Sequence, residues 1–333
     1  MTIFKNKNYF ESIFSTVNLS AFSIVERRNL ILKKILFFLA LYLNISSVCF
    51  AEEIDVFKLV ENGTPEQLQS ALKQGAKFNI ERNMSDFEED SFEAPDYWPF
   101  DTGETPLHRA AAYNHNPESI KFLIKQGLDV NAIAEVGLYS SLNPLACALF
   151  SKNTVAVKEL LEAGANPNAW VAGGYNFIGT PFHIIAFDYD DASLARKIIC
   201  ELVNAGGNIN SHEELSPEEI RDLRESSSEF GKNNTIFLPR NQWVNDDPFY
   251  NMTDFFSHYA MGTFLTTFTP IMWAVLYDKP EIVDIFLDFN ADVNLRSIEN
   301  KSAVDYANDL PHDSKIKKSS SFERLQSNTV RKK

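Results

Sequence analysis

The side chains best suited to chemistry in this 333-residue chain are six histidines and three cysteines. Of the three histidines outside the repeats described below, His212, His258 and His312, only His258 has a partner at the i, i+4 spacing of helical metal ligands, Asp254, and a single pair is a weak signal. The sequence contains no Gly-rich phosphate loop, no Gly-x-Ser-x-Gly elbow and no Cys-x-x-Cys pair. We therefore expect no metal site, no cofactor and no catalytic residue. Three cysteines are also too few for a disulfide framework, and we expect Cys147 and Cys200 to be free thiols on helices.

Acidic side chains outnumber basic ones, but unevenly along the chain. Residues 1–51 carry a charge of +4 and residues 315–333 carry +6, which leaves −24 for residues 52–314 out of a total of −14. Because nucleic-acid affinity depends on Lys and Arg displacing counterions, a body this acidic excludes nucleic-acid binding. The run from Asp86 to Asp90 lacks the Gly-bearing loop of known calcium motifs, so we expect a solvated acidic face there.

Aromatic side chains are interleaved with the carboxylates in two segments. Residues 80–104 contain nine acidic side chains, one arginine and five aromatic rings, and residues 211–267 contain ten acidic, four basic and nine aromatic side chains. Tryptophan and tyrosine dominate the energetics of protein interfaces, so this mixture favours recognition of a protein partner with a basic surface. The alternative is that these rings pack their own loops onto the scaffold.

Two short sequence motifs, which we call phrases, recur along the chain and indicate an internal repeat. The first places Gly after a helix and Asn four residues later, at Gly75, Gly127, Gly164 and Gly206, with Asn290 in the fifth copy. Gly and Asn both tolerate the left-handed conformation that ends a helix. The second phrase opens the units with a capping residue followed by Pro, which suits the first turn of a helix. Its copies begin at Thr105, Asn143, Thr180 and Thr269, and a truncated copy begins at Ser302.

Together the two phrases resemble ankyrin repeats, whose Thr-Pro-Leu-His-x-Ala signature belongs to a two-helix unit of about 33 residues. The resemblance covers residues 54–309, with five recognisable units and a closing half-unit. It implies an all-α repeat solenoid, an ankyrin helix-turn-helix stack with enlarged hairpin loops, and a structural hydrogen-bonding role for His108 and His183. The apolar trio Ile199, Leu202 and Val203, like its counterparts in the other second helices, should lie on one face that the next unit covers.

The opening phrases are separated by 38, 37, 89 and 33 residues, so several units exceed the family's length. The excess falls after each Gly-x-x-x-Asn phrase, where an ankyrin repeat has its hairpin loop, in residues 80–104, 132–142, 169–179 and 211–267. Insertions on one face often mark the binding face. We therefore predict binding through the concave face and these acidic aromatic loops. The candidate contact residues are Glu88, Glu89, Tyr97, Trp98, Phe100, Trp170, Tyr175, Trp243, Phe249 and Tyr250.

The long insert itself contains helix signals. Ser216 followed by Pro217 and Glu219 is typical of a capping box, which predicts a helix at that point. Aromatic spacing indicates a second helix over residues 253–264, and residues 226–250 have the composition of a loop.

Residues 1–51 have the pattern of an export signal. Arg27, Arg28, Lys33 and Lys34 precede the uncharged residues 35–51, which end in small side chains before Glu52. We expect translation to start near Leu30, cleavage after Ala51, and a bacterial protein that is secreted or periplasmic. The alternatives are a twin-arginine signal and an uncleaved single-pass membrane anchor, for which the 17 uncharged residues fall short of the about 20 that span a bilayer.

The chain thus divides into an N-terminal region (1–51), a repeat domain (52–310) with the long insert, and a basic, serine-rich tail (311–333). We predict that the tail is disordered, and contact with anionic membrane or with the acidic body is the alternative. The expected function is that of an exported protein–protein interaction scaffold, not an enzyme. The alternatives are an enzyme whose site lies in residues 211–267 and a membrane-tethered structural scaffold.

Overall fold

The computed structural model describes residues 54–82, 103–136, 140–172, 177–226 and 266–330. From Asp55 onward the described residues belong to one structural unit. The expected export signal lies outside the described residues, as does the predicted helix over residues 253–264.

Fourteen helices and four short strands are found in the described residues. In chain order they are α1 (Val56–Asn62), α2 (Pro65–Lys73), α3 (Pro106–Tyr113), α4 (Pro117–Lys125), β1 (Ala134–Val136), β2 (Ser140–Leu142), α5 (Pro144–Phe150), α6 (Thr154–Glu162), β3 (Val171–Ala172), β4 (Ile178–Gly179), α7 (Pro181–Asp188), α8 (Ala192–Asn204), α9 (Pro217–Ser226), α10 (Pro270–Leu276), α11 (Pro280–Asp288), α12 (Ala303–Asp309), α13 (Lys315–Lys318) and α14 (Ser320–Val330).

The opening phrases begin helices as the sequence predicts. Asn143 accepts a hydrogen bond at 2.8 Å from the Ala146 amide, and α3, α5, α7 and α10 each have proline in the first turn. The glycines of the closing phrase adopt positive φ, and Asn290, with φ of 61°, takes the same conformation. Ser216 and Glu219 form the predicted cap of α9, with Ser216 N donating to the Glu219 carboxylate at 2.7 Å.

The helices pair into repeats that contact their neighbours in sequence. Repeats 1 to 5 are α1–α2, α3–α4, α5–α6, α7–α8 and α10–α11, and repeat 6 begins with α12. The first helices of successive repeats pack on one another, and the second helices form a parallel row. Repeats 4 and 5 pack together in the same way, although residues 211–267 separate them along the chain. The fold is a helical repeat.

The expectation of a purely α-helical fold is wrong in one respect. Two of the hairpin loops pair into a four-stranded antiparallel sheet in the order β1-β2-β3-β4, with Ser141 opposite Ala172 at the junction. Ala134, Leu142 and Val171 point to the buried side, whereas Glu135 is exposed on the other. The excess length of these loops is therefore used to extend hydrogen-bonded strands, which alternate between faces.

The prediction of a disordered tail is also wrong. Residues 315–318 and 320–330 are helical, and Ile316 and Leu325 are fully buried. Both oxygens of the buried Asp278 carboxylate accept backbone N–H groups at the start of α13, from Lys315 and Ile316 at 2.9 Å each. Because α14 packs against α11, it serves as the second helix of repeat 6, and the repeat domain extends beyond residue 310.

The second helices bury most of the predicted faces, although Ile124 and Leu161, at positions equivalent to Val203, are only half-buried. Leu123, Leu160, Leu202 and Phe286 are fully buried at equivalent positions. Val203 is 36% exposed, so the predicted trio in α8 is only partly covered.

Candidate functional site

Trp170 is the one predicted contact residue that lies within the described part of the chain. It immediately precedes β3, and its side chain is 39% exposed. Its ring lies 5.5 Å from the ring of His183, at an interplanar angle of 35°. The contact holds an exposed indole against a buried side chain, so Trp170 is both accessible and supported. The other nine candidates are outside the described residues: Glu88, Glu89, Tyr97, Trp98, Phe100, Tyr175, Trp243, Phe249 and Tyr250.

Trp170 has an exposed counterpart in the preceding repeat. Ile133 stands two residues after Asn131, as Trp170 stands two residues after Asn168, and it is 48% exposed. His212 takes the equivalent position after Asn210. We call these three residues the hairpin row. Two exposed apolar side chains, Ile133 and Trp170, thus occupy equivalent positions of successive hairpins, whereas the side chain of His212 is only 11% exposed.

Asparagines hold the hairpins of successive repeats in register beneath this row. The side-chain oxygen of Asn131 accepts the Asn166 amide at 2.8 Å, and that of Asn168 accepts the Asn208 amide at 2.6 Å. We call these hydrogen bonds asparagine rungs. In the next rung, the side-chain oxygen of Asn210 accepts the Asp292 amide at 2.7 Å and joins two hairpins that the long insert separates along the chain. The asparagines of the repeated phrase therefore fix the spacing of the hairpin tips.

Five aromatic side chains form a continuous cluster across repeats 3, 4 and 5. Phe177 lies at the centre, with ring centroids 5.6 Å from Phe150, 5.6 Å from Phe187 and 5.5 Å from Trp273. Tyr277 completes the cluster at 5.3 Å from Phe187. Phe150, Phe187 and Tyr277 are half-buried, whereas Phe177 and Trp273 are buried. We call this set the aromatic ridge.

The ridge and the hairpin row are joined through His183. Its ring lies 5.6 Å from that of Trp273 on one side and 5.5 Å from that of Trp170 on the other. The aromatic residues of the inserts do not predict the ridge, because four of its five rings lie on or next to the first helices. The signal was present at the ends of the first helices, where Phe150, Phe187 and Tyr277 recur.

The buried histidines have a structural role. Nδ1 of His108 accepts the Thr105 amide at 3.2 Å, and Nδ1 of His183 accepts the Thr180 amide at 3.1 Å. Nε2 of His183 then donates to the carbonyl of Phe268 at 2.8 Å. Burial lowers the pKa of each imidazole to about 4, so both rings are neutral near neutral pH. Each neutral ring joins a helix start to the chain entering the next repeat.

Two lysine–aspartate pairs lie at the C-terminal end of α7, beyond the ridge. Lys152 Nζ is 3.4 Å from Asp188, and Lys279 Nζ is 3.2 Å from Asp190. Burial raises the pKa of the Asp188 carboxyl and lowers that of the Lys279 ammonium. Lys279 also donates to the carbonyl oxygens of Phe187 and Tyr189, at 2.7 and 3.1 Å. Lys279 is thus held within the scaffold, whereas the side chain of Lys152 is 46% exposed.

A buried ion cluster stands at the base of the first insert. Arg109 contacts Glu104 at 2.6 Å and Glu61 at 2.7 Å, and Arg82 contacts the second oxygen of Glu104 at 2.6 Å. The guanidinium of Arg82 also lies 4.0 Å from the ring centroid of Phe57. Backbone hydrogen bonds join Arg82 and Glu104 in both directions. These ion pairs and backbone hydrogen bonds therefore hold both ends of the insert against repeats 1 and 2.

Residues that could do covalent or metal chemistry are dispersed in the described ranges. No group of three or more His, Cys, Asp or Glu side chains in them has a metal-binding arrangement. Cys147 is buried, which raises the pKa of its thiol, and Cys200 is exposed on α8. None of the helices described has the length and apolar character needed to cross a membrane.

Comparison with known proteins gives matches to repeat families. The family described as "Ankyrin repeats (3 copies)" matches residues 57–169, and the family described as "Ankyrin repeats (many copies)" matches residues 265–307. Repeat 4 lies between the two matches.

One curated relative is the putative palmitoyltransferase ZDHHC13 of Danio rerio, 41% identical over 76 residues. The aligned segment covers 23% of this chain and spans only 11% of the length of that relative. With the helix pairing described above, the family matches identify residues 57–169 and 265–307 of this chain as ankyrin repeats.

Proposed function

We propose that this chain is a protein–protein interaction scaffold that binds a protein partner through the hairpin row and the adjacent aromatic ridge. This surface corresponds to the loops and the concave side of an ankyrin stack. Ankyrin repeats generally bind protein partners, which supports a scaffold function.

The exposure of Trp170 carries the proposal. A tryptophan that is 39% exposed and supported from behind by His183 can bury further apolar area without losing much side-chain freedom. Ile133, which lies in the preceding hairpin, extends the apolar surface toward repeat 2. The half-buried rings of Phe187 and Tyr277 extend it into repeats 4 and 5.

The test is a binding measurement on full-length variants. A partner is captured by crosslinking to the full chain, purified, and titrated against Trp170→Ala and Val203→Ala proteins. Val203 is a matched control, because it is 36% exposed but lies on a second helix. We expect Trp170→Ala to weaken binding by about tenfold or more, as loss of an interface tryptophan does. Equal loss in both variants, or none in either, would contradict this surface.

We further propose that this protein is bacterial, that it is exported and that it is not an enzyme. The basic, apolar and small-residue order of residues 27–51 supports export, and the mature chain would begin at Glu52. Intact-mass measurement of the exported protein checks this. A membrane-bound product that keeps residues 35–43 would favour the tethered scaffold instead.

A further inference from the structure

Carboxylates flank Trp170 at regular positions along the hairpin row. Two residues beyond Ile133, Trp170 and His212 stand Glu135, Ala172 and Glu214, respectively. Glu135 is exposed, and the side chain of Glu214 is 84% exposed. The exposed indole therefore has one carboxylate in the hairpin before it and one in the hairpin after it.

Basic groups are scarce at this edge. The described residues 132–136, 140–142, 169–172 and 177–179 contain no basic side chain. In residues 211–226, His212 Nε2 lies 3.7 Å from Glu214, Arg221 lies 3.4 Å from Glu218, and the third basic side chain is that of Arg224. Lys152 and Lys279 stand at the far ends of the first helices, where they pair with Asp188 and Asp190. The net charge of −24 in residues 52–314 adds to the negative potential around the row.

An exposed indole with exposed carboxylates in the two neighbouring hairpins is suited to a cation. The ring attracts an ammonium or guanidinium group placed over its face, and arginine adds planar stacking. One face of Trp170 is directed to His183, and its remaining exposed surface is available to a ligand. Ile133 and the half-buried Ile178 supply apolar surface beside it.

We infer that the hairpin row binds a protein segment bearing an arginine or lysine side chain, whose cation stacks on Trp170 between Glu135 and Glu214. An apolar residue of the same segment packs on Ile133. This inference rests on the proposed function and specifies the chemistry of the partner.

The experiment begins with selection of displayed random peptides on the full-length protein. We expect arginine or lysine next to an apolar residue in the selected sequences. The strongest binder is synthesised and titrated against wild type, Trp170→Leu and Trp170→Phe. We expect a loss of about tenfold or more for Leu and a smaller loss for Phe, which keeps an aromatic face. Thermal melts confirm that each variant is folded.

Charge is tested separately from shape. A peptide with citrulline in place of arginine keeps the planar group but loses the charge, and we expect it to bind about tenfold more weakly. The double variant Glu135→Gln, Glu214→Gln should weaken binding and reduce its salt dependence. Glu162→Gln is the control, because that carboxylate is exposed on α6, away from the row.

The outcomes separate the two proposals. Peptides that depend on Trp170 but lack a cation, or that bind equally well with citrulline, would overturn the cation site and leave the interaction surface standing. Peptides that bind Trp170→Leu as tightly as wild type would overturn both.

Discussion

Two junctions between repeats can be compared directly, that between repeats 2 and 3 and that between repeats 4 and 5. In the first, Nε2 of His108 lies 3.3 Å from the carbonyl oxygen of Leu142, the residue before the next helix cap. In the second, Nε2 of His183 lies 2.8 Å from the carbonyl oxygen of Phe268, which also precedes the next cap. The partners are 34 and 85 residues apart along the chain.

The asparagine rungs also join positions at very different separations along the chain. Asn131 binds the backbone 35 residues ahead, and Asn210 binds the equivalent backbone amide 82 residues ahead. The same local groups therefore set the spacing of repeats whether the connection is short or long. Chain length between repeats has little influence because loop closure costs entropy only logarithmically. The long insert is an addition to one edge of the stack, not an interruption of it.

The strongest test of this equivalence is core truncation beside each junction, in repeat 3 for the first and in repeat 4 for the second. Leu160 and Leu202 are fully buried at equivalent positions of α6 and α8. We expect Leu160→Ala and Leu202→Ala each to lower the free energy of unfolding by about 2–5 kcal/mol. Urea denaturation measures both, and Val203→Ala should stay within about 0.5 kcal/mol as the exposed control. A much smaller cost at Leu202 would mean that the second junction is loosely packed.

Acid should weaken both histidine junctions. The folded pKa of His108 and His183 is about 4, below the ordinary value of 6.5, so the unfolded chain binds protons first as the pH falls. The stability contributed by each neutral ring is complete above pH 6.5 and declines as the pH falls toward 4, by about 3 kcal/mol per histidine.

Unfolding free energies across that range should therefore decline less steeply in His183→Gln and in His108→Gln than in wild type. If only the His108 variant changes the slope, the junction across the insert is not equivalent.

The asparagine rungs should have smaller and similar effects. Asn168→Ala and Asn210→Ala each remove the acceptor for one backbone amide, and we expect a loss of about 1 kcal/mol in unfolding free energy from each. The midpoint of urea unfolding at constant slope gives the value. A larger loss at Asn168 alone would show that the rung across the insert is dispensable.

The smallest effect is expected from shortening the insert. Deletion of residues 227–250 leaves both junctions and α9 in place, so the free energy of unfolding should change by less than about 1 kcal/mol. Thermal and urea unfolding measure the change. Loss of the folded state would show that the insert, rather than the stack, holds repeats 4 and 5 together.

Much of the scaffold was predictable because its signals are local. The capping residue, the proline and the closing Gly or Asn each act within a few residues, so the starts of α3, α5, α7 and α10 followed from the sequence. The left-handed Asn290 followed for the same reason. Trp170 was predicted as a contact residue from its type and loop; it is exposed, and its contact with a partner stays a prediction.

Features that depend on distant contacts were missed. The tail has a polar, basic composition typical of disorder, yet α14 becomes the second helix of repeat 6 by packing on α11. Arg324 of α14 forms ion pairs with Asp284 and Asp288, at 2.8 and 2.6 Å. No local sequence pattern predicts these pairs. Val203 fits the apolar period of α8 and is nevertheless exposed, because the neighbouring repeat does not cover it.

By itself, the sequence determined the repeat type, the helix boundaries and the acidic character of the body, since each depends on neighbouring residues or on composition. Only the tertiary structure decided that Phe150, Phe177, Phe187, Trp273 and Tyr277 meet in one cluster, and that the ring of Trp170 packs against that of His183. These residues come from three repeats and lie up to 127 positions apart along the chain. Their proximity arises when hydrogen-bonded caps and asparagine rungs stack the repeats, because stacking places equivalent positions of successive units side by side.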